Sequence, residues 1–244
     1  MKVLAAACWA PNLQSLILAD VDMGVSTISD LAAGHWPNLL HLDLSKNQVG
    51  DGVMAVLASA RWPKLEDLNL FDDEIEAEGV ETSLRILNLG FNFIDSEAIP
   101  SLCTVQWPGL CSLSLGAQLE FGIVTEDIEA LGAAAWPNLH TLDLSGCGLS
   151  SRNVEALVAP RWSRLTDLDI SRNLLDADGV AALADAQWSG LQSLNLARNR
   201  LGVEGVLALA EVEWSASLRR LNVADTNLGP EGVAALAHGQ WVHL

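Results

Sequence analysis

The sequence predicts an α/β solenoid: a right-handed horseshoe with parallel strands on its concave face and helices on its convex face. Two periodic features of the 244-residue chain lead to this prediction. Nine tryptophans recur, mostly 26 or 27 residues apart, and nine segments of the form Leu-x-x-Leu-x-Leu recur with a similar period. Such repetition is typical of solenoids, because one repeat cannot bury its own apolar side and stacked repeats can. We expect a single array of about nine repeats over 1–244, incomplete at both ends.

Each leucine segment predicts a short strand. Alternate leucines, such as Leu194 and Leu196, lie on the same side of an extended chain and are expected to face the core. The segments begin at Leu13, Leu39, Leu65, Leu84, Leu110, Leu139, Leu165, Leu191 and Leu218, and the seventh and ninth end in Ile170 and Val223. Asparagine follows several strands and is expected to satisfy backbone groups where the chain turns; these are Asn47, Asn92, Asn173 and Asn199.

The second half of each repeat predicts a short helix and a return to the next strand. Val180, Leu183 and Ala184 have the i, i+3, i+4 spacing of one helix face. Proline follows tryptophan in four repeats and ends the helix. We expect the tryptophans to form a buried ladder at this return; an exposed aromatic binding stripe is the alternative.

The repeat, Leu-x-x-Leu-x-Leu-x-x-Asn followed by a helix, resembles the leucine-rich-repeat proteins, and specifically their ribonuclease-inhibitor-like branch. The Gly-Val-Ala-Ala-Leu-Ala strings at 179–184 and 232–237 also resemble the GALA-type subgroup. The resemblance implies protein recognition through the concave face. GALA-type proteins usually couple their repeats to an F-box, and too few residues precede the first repeat here to form one.

The composition excludes several kinds of partner. The formal net charge is −18, from 13 Lys and Arg against 31 Asp and Glu, so nucleic acid and anionic membrane surfaces are not expected as partners. No apolar run approaches the ~20 residues needed to cross a bilayer. The chain has four cysteines without paired or metal-type spacing, which predicts reduced thiols and a cytoplasmic location. We expect no metal and no cofactor.

The candidate partner-binding site is the concave face, formed by the residues on either side of each central strand leucine. Asp143 and Asp169 would lie roughly 5 Å apart on neighbouring strands. Carboxylates this close are unfavourable unless a cation or a basic partner compensates them, so a basic protein segment is the expected ligand. A solvated inner surface without a ligand is the alternative. The predicted site consists of His41, Asp43, Asp67, Asn69, Asn88, Asp143, Asp167, Asp169, Asn195 and Arg220.

A second candidate site is a notch on the convex side around the irregular repeat at 65–84. This repeat is seven residues short, lacks its tryptophan and is rich in acidic residues. Aromatic side chains are frequent binding anchors, and the notch residues are Phe71, Phe91 and Phe93. Sequence drift with an exposed acidic loop is the alternative explanation.

No catalytic motif emerges. His41, Asp43 and Ser45 share one strand side, but same-side neighbours on a strand are ~6.6 Å apart, too far for the hydrogen bonds of a triad. The leading prediction is therefore a non-enzymatic protein-interaction module. The alternatives are a regulator of an enzyme, either an inhibitor or a Ran-type GTPase-activating protein, and a ubiquitin-ligase arm whose F-box is not in this sequence. The oligomeric state is left open.

Overall fold

Strands form at the nine positions that the sequence predicts. The computed structural model describes residues 7–47, 49–50, 56–57, 59–60, 62–73, 84–92, 94, 98–104, 106–118, 122–158, 162–239 and 241–243. In these residues every strand is a central leucine with one residue on each side. The strands are β1 Ser15–Ile17, β2 His41–Asp43, β3 Asp67–Asn69, β4 Ile86–Asn88, β5 Ser112–Ser114, β6 Thr141–Asp143, β7 Asp167–Asp169, β8 Ser193–Asn195 and β9 Arg220–Asn222.

The chain divides into two compact units. Unit 1 is Met1–Phe121 with Ala134–Asn138, and unit 2 is Gly122–Ala133 with Leu139–Leu244. Unit 1 contains β1 to β5 and unit 2 contains β6 to β9. Within each unit, neighbouring strands are parallel and follow the order of the chain.

The central leucines of β2 to β5 in unit 1 and of β6 to β8 in unit 2 form one buried row in each unit. In unit 2, Leu142 is in register with Leu168, and Leu168 with Leu194. All three are at most 2% exposed. The predicted shared interior row is therefore confirmed. In unit 2 it follows from the nearly constant repeat length, which brings the same strand position to the same height in each repeat.

Helices fill the second half of most repeats. Those in the described residues are α1 Val25–Ala32 and α2 Ala98–Thr104 in unit 1, and α3 Thr125–Ala133, α4 Ser151–Val158, α5 Ala177–Leu183, α6 Gly202–Glu211 and α7 Gly229–Leu236 in unit 2. Short 3₁₀ turns occupy Ala10–Asn12 and Glu213–Ser217. Strand and helix alternate as predicted, so the α/β solenoid class is confirmed. In the part of the chain that is described, no helix combines the length and apolarity required to cross a membrane.

The apolar helix face is narrower than the sequence predicts. Val180 and Leu183 are fully buried, but Ala184 is exposed because α5 ends at Leu183 and Ala184 is its C-cap. The prediction that Ala184 belongs to the buried face is wrong. Close packing instead depends on Gly179, where a Cβ would lie only 2.9 Å from the Oγ of Ser151 in α4.

One carboxylate ties α4 to α5. Asp176 is the N-cap of α5, and its Oδ1 accepts hydrogen bonds from the backbone N–H groups of Asp178 and Gly179. The same oxygen accepts a hydrogen bond from the hydroxyl of Ser151. The Ser151 bond, and then the Gly179 bond, favour the ionised form and lower the pKa of Asp176 below its ordinary value of 3.8.

The asparagines that follow the strands form a buried ladder of hydrogen bonds. Nδ2 of Asn173 donates to the carbonyls of Leu144 and Ile170 at 3.0 and 2.9 Å, and its Oδ1 accepts from the backbone N–H of Leu149. Asn47, Asn92 and Asn199 make equivalent bonds, and Gln118 does so in the fifth repeat. The predicted role of asparagine in closing the strands is confirmed.

The tryptophan ladder is confirmed for seven residues, which are at most 8% exposed: Trp36, Trp62, Trp107, Trp136, Trp162, Trp188 and Trp214. Ring centroids of Trp107 and Trp136 are 5.8 Å apart, and those of Trp188 and Trp214 are 5.7 Å apart. Trp9 departs from the prediction, with 44% of its surface exposed, because it precedes the first described repeat instead of lying between two. Trp241 is half-buried.

Candidate functional site on the strand face

The outward side of the strands is the face that carries the predicted site. We call it the strand face and define it as the first and third residues of each strand. All ten predicted concave-face residues lie on it, eight half-buried and two, His41 and Arg220, exposed. His41, Asp43, Asp67, Asn69 and Asn88 lie together in unit 1, and Asp143, Asp167, Asp169, Asn195 and Arg220 lie together in unit 2.

The third strand residue has a structural role that the sequence analysis missed. In most strands it is Asp or Asn, and its Oδ1 accepts a hydrogen bond from the backbone N–H two residues further on. Asp143 accepts from Ser145 and Asp169 from Ser171, each at 2.9 Å. Asp43, Asn69, Asn88, Asn195 and Asn222 do the same. These side chains stabilise the turn after the strand, and the recurrence of Asp or Asn at one repeat position was the signal for it.

Asp143 and Asp169 are register partners in unit 2, as predicted. They line a groove of about 700 Å³ over β6 to β9. Oδ2 of Asp169 accepts a 2.7 Å hydrogen bond from Nδ2 of Asn195. An amide is a neutral donor, so this bond leaves the negative charge of Asp169 uncancelled.

Asp167 in the same groove is neutralised within the protein. Nη2 of Arg220 donates to its Oδ1 at 2.8 Å, and the hydroxyl of Thr166 donates to its Oδ2 at the same distance. Arg220 reaches this carboxylate from β9 across Ser193 of β8, because Asp167 and Arg220 are both register partners of Ser193. Asp167 and Arg220, both predicted partner contacts, therefore bind each other.

The strand face of unit 1 has a different composition. A groove of about 410 Å³ lies over β1 to β4. Nδ1 of His41 lies 3.4 Å from Oδ2 of Asp67 at the centre of this groove. Ile17 and Ile86 project at its borders and are 70% and 41% exposed. The predicted site contains only polar residues and so omits Ile86, although the place of Ile86 before a central leucine identifies it as outward-facing.

The predicted notch is described in part. Phe71 and Phe91 lie side by side, with ring centroids 5.6 Å apart, in the turns that follow β3 and β4. Phe91 is 36% exposed and has a positive φ of 60°. The pair therefore lies at the ends of strands β3 and β4. Phe93 and most of the acidic segment, 74–83, lie outside the described residues.

The polar groups near His41 are not arranged as a triad. The hydroxyl of Ser45 donates to Oδ1 of Asp43 at 2.6 Å, and the imidazole of His41 contacts Asp67. A nucleophilic serine requires a hydrogen bond to the histidine base. Among the described residues, no three His, Cys, Asp or Glu side chains come close enough together to hold a metal ion.

Comparison with known proteins finds similarity to the leucine-rich repeat in five segments of the chain. Models of the leucine-rich repeat match residues 35–57, 138–158, 164–184, 191–210 and 215–237. No curated protein sequence matches the chain significantly. The fold is similar to an internalin (inlF) of Listeria monocytogenes, at 18% identity and a TM-score of 0.53 over 98% of this chain and 68% of that one. It is also similar to internalin C2 of the same organism, at 19% identity and a TM-score of 0.50 over 95% and 80% of the two chains.

Proposed function

We propose that this leucine-rich-repeat protein is a non-enzymatic interaction module that binds a basic protein segment on its strand face. The repeat class supports protein recognition as the general function, because stacked repeats present a long, open surface. The resemblance to the ribonuclease-inhibitor-like branch supports binding on the strand side. The charge of the partner follows from the side chains on that surface.

One observation carries the proposal: Asp143 and Asp169 are register partners, and their adjacent carboxylates line an open groove. The bonds described for them come from backbone N–H groups and, for Asp169, an amide. These bonds hold each carboxylate in place in the groove. A lysine or arginine of a partner would relieve the repulsion between the two carboxylates, so binding a cation is favoured at this position.

The proposal includes a reducing compartment, such as the cytoplasm. The four cysteines form no disulfide; Cys8 is exposed and Cys147 is buried. A secreted protein of this size usually has its cysteines paired.

The test is the binding of a fluorescent octalysine peptide to the Asp143→Asn/Asp169→Asn variant. Asparagine is the right substitution because Asn195 and Asn222 make the same turn bond at equivalent positions, so the charge is removed and the turn is kept. We expect the affinity to fall about tenfold at low salt, and the difference to shrink as salt is added.

The matched control removes two carboxylates elsewhere in unit 2. Glu155 and Asp185 are exposed on the helix side, and Glu155→Gln/Asp185→Asn changes the net charge by the same amount. This control should retain nearly all of the affinity. An equal loss in both variants would mean that octalysine senses only the overall charge of the protein, and the proposal would then fail.

A further inference from the structure

Two isoleucines distinguish the strand face of unit 1. Of the eighteen first and third strand residues, all are polar except Ile17 and Ile86. Both are exposed, at 70% and 41%, and both border the same groove. A single exposed apolar residue needs no explanation, but two in one groove of an otherwise polar surface indicate where apolar side chains of a ligand would lie.

The floor between the isoleucines carries two carboxylates, Asp43 and Asp67, beside the imidazole of His41. Ile17 is the register partner of Asp43 on β2, and Ile86 is the register partner of Asp67 on β3. Each apolar side chain thus has a carboxylate next to it, on the side that faces the other isoleucine. A ligand with apolar ends and a positive centre would complement this arrangement.

The spacing of the two isoleucines limits the ligand further. Ile17 and Ile86 are separated by three strand intervals and one same-side step along a strand, so their Cα atoms are about 16 Å apart. An extended peptide covers about 13 Å in four residues, with residues i, i+2 and i+4 on one side. The isoleucine side chains can lean toward each other and so cover the difference between the Cα separation and the length of the peptide.

We propose that the groove of unit 1 binds an extended peptide segment in which a lysine or arginine lies midway between two large apolar side chains four residues apart. The apolar side chains contact Ile17 and Ile86, and the cation lies between Asp43 and Asp67. This inference rests on the proposed function, since it assumes that the strand face binds protein, and it adds a sequence preference that the polar groove of unit 2 does not have.

The experiment measures the affinity of a fluorescent serine-flanked peptide, Leu-Ser-Lys-Ser-Leu, for the full chain and for Ile17→Thr/Ile86→Thr. Threonine keeps the β-branched shape that suits a strand and removes the apolar contact. We expect the double substitution to weaken binding about tenfold or more. Replacing both leucines of the peptide by serine should have a similar effect, and replacing its lysine by glutamate should abolish binding.

The control is Val21→Thr/Val233→Thr, which changes two exposed valines that do not belong to the strand face. Circular dichroism establishes that both variants are folded. The control should bind the peptide as the unchanged chain does.

Three results would overturn the inference. The first is equal binding by the unchanged chain and Ile17→Thr/Ile86→Thr. The second is weaker binding only when Asp143 and Asp169 are changed, which would place the peptide on unit 2 and leave the proposed function intact. The third is self-association of the protein that the isoleucine substitutions abolish, which would make the occupant a second copy of this chain. If, in addition, octalysine binding falls equally in the Asp143→Asn/Asp169→Asn variant and in its matched control, the proposed function fails together with this inference.

Discussion

The strand faces of the two units have the same backbone and different surfaces. In unit 1 a histidine–aspartate contact lies between two exposed isoleucines. In unit 2 every outward strand residue is polar, and Arg220 neutralises one of the three aspartates. The buried leucine rows and amide ladders of the two units are alike. The repeat therefore separates two tasks: inward positions determine the fold, and the first and third strand positions can vary to suit different ligands.

The largest expected effect is on the free energy of unfolding, and it tests whether the buried amide ladders of the two units contribute equally to stability. Asn47→Ala in unit 1 and Asn173→Ala in unit 2 each leave buried backbone groups without the amide that bonds them. We expect each substitution to lower the free energy of unfolding by about 3 kcal/mol, measured by urea denaturation. Asn138→Ala is the control; it removes an exposed hydrogen bond to the carbonyl of Pro108 and should change stability much less. A clear difference between the Asn47 and Asn173 variants would contradict the equivalence.

A smaller effect on stability is expected at the helix N-caps, because α5 of unit 2 has a side-chain cap and α1 of unit 1 has none. Asp176 caps α5 through its side chain, whereas the N-cap of α1 is Gly24, without a side-chain bond. Asp176→Ala should cost about 1 kcal/mol at neutral pH. Because the pKa of Asp176 is lowered in the folded state, its contribution is complete above pH 3.8 and is lost as the pH falls below that value.

Thermal denaturation at several pH values checks this prediction. The stability difference between the unchanged chain and Asp176→Ala should narrow as the pH falls below 3.8. Asp176→Asn keeps an acceptor for the helix and should lose this particular pH dependence. A difference that stays constant down to the most acidic measurable pH would argue against the cap as its source.

The smallest expected effect on stability is that of substituting Arg220. The same substitution also tests the difference between the strand faces of the two units. The ion pair with Asp167 is largely exposed, so Arg220→Gln should change stability by only about 0–1 kcal/mol. The substitution uncovers Asp167 in the groove of unit 2, and octalysine affinity should rise about twofold to fivefold. Arg200→Gln, which removes one exposed charge from a turn of the same unit, is the control. An equal rise in both variants would mean that Arg220 has no specific influence.

The sequence predicts the scaffold well because the scaffold is periodic. A strand alternates with period two and the repeat length is nearly constant, so the register of Leu142 with Leu168 follows from counting residues. The end of α5 could not be obtained in this way, and Ala184 was assigned to the buried face although it caps the helix. A helix end depends on local hydrogen bonding that a spacing pattern does not contain.

The sequence predicts where the residues of the candidate site lie, but not which of them interact with one another. Counting strand positions placed all ten residues on one face, but it could not show that Arg220 spans two strand intervals to bind Asp167. The same counting identified Asp143 and Asp169 only as contacts for a partner, although each also stabilises the turn that follows its own strand. Long side chains and side chain–backbone bonds depend on coordinates, because the same residue types at the same spacing permit several pairings.

The location of a bound cationic segment tests the central claim most directly. An octalysine peptide with a photoreactive benzophenone group at its centre can be crosslinked to the protein, and the attachment site read by mass spectrometry. The account predicts attachment to strand-face residues of β6 to β8, next to Asp143 and Asp169, and reduced yield in the Asp143→Asn/Asp169→Asn variant. Attachment chiefly to helices α4 to α6, with a yield that this variant leaves unchanged, would contradict it.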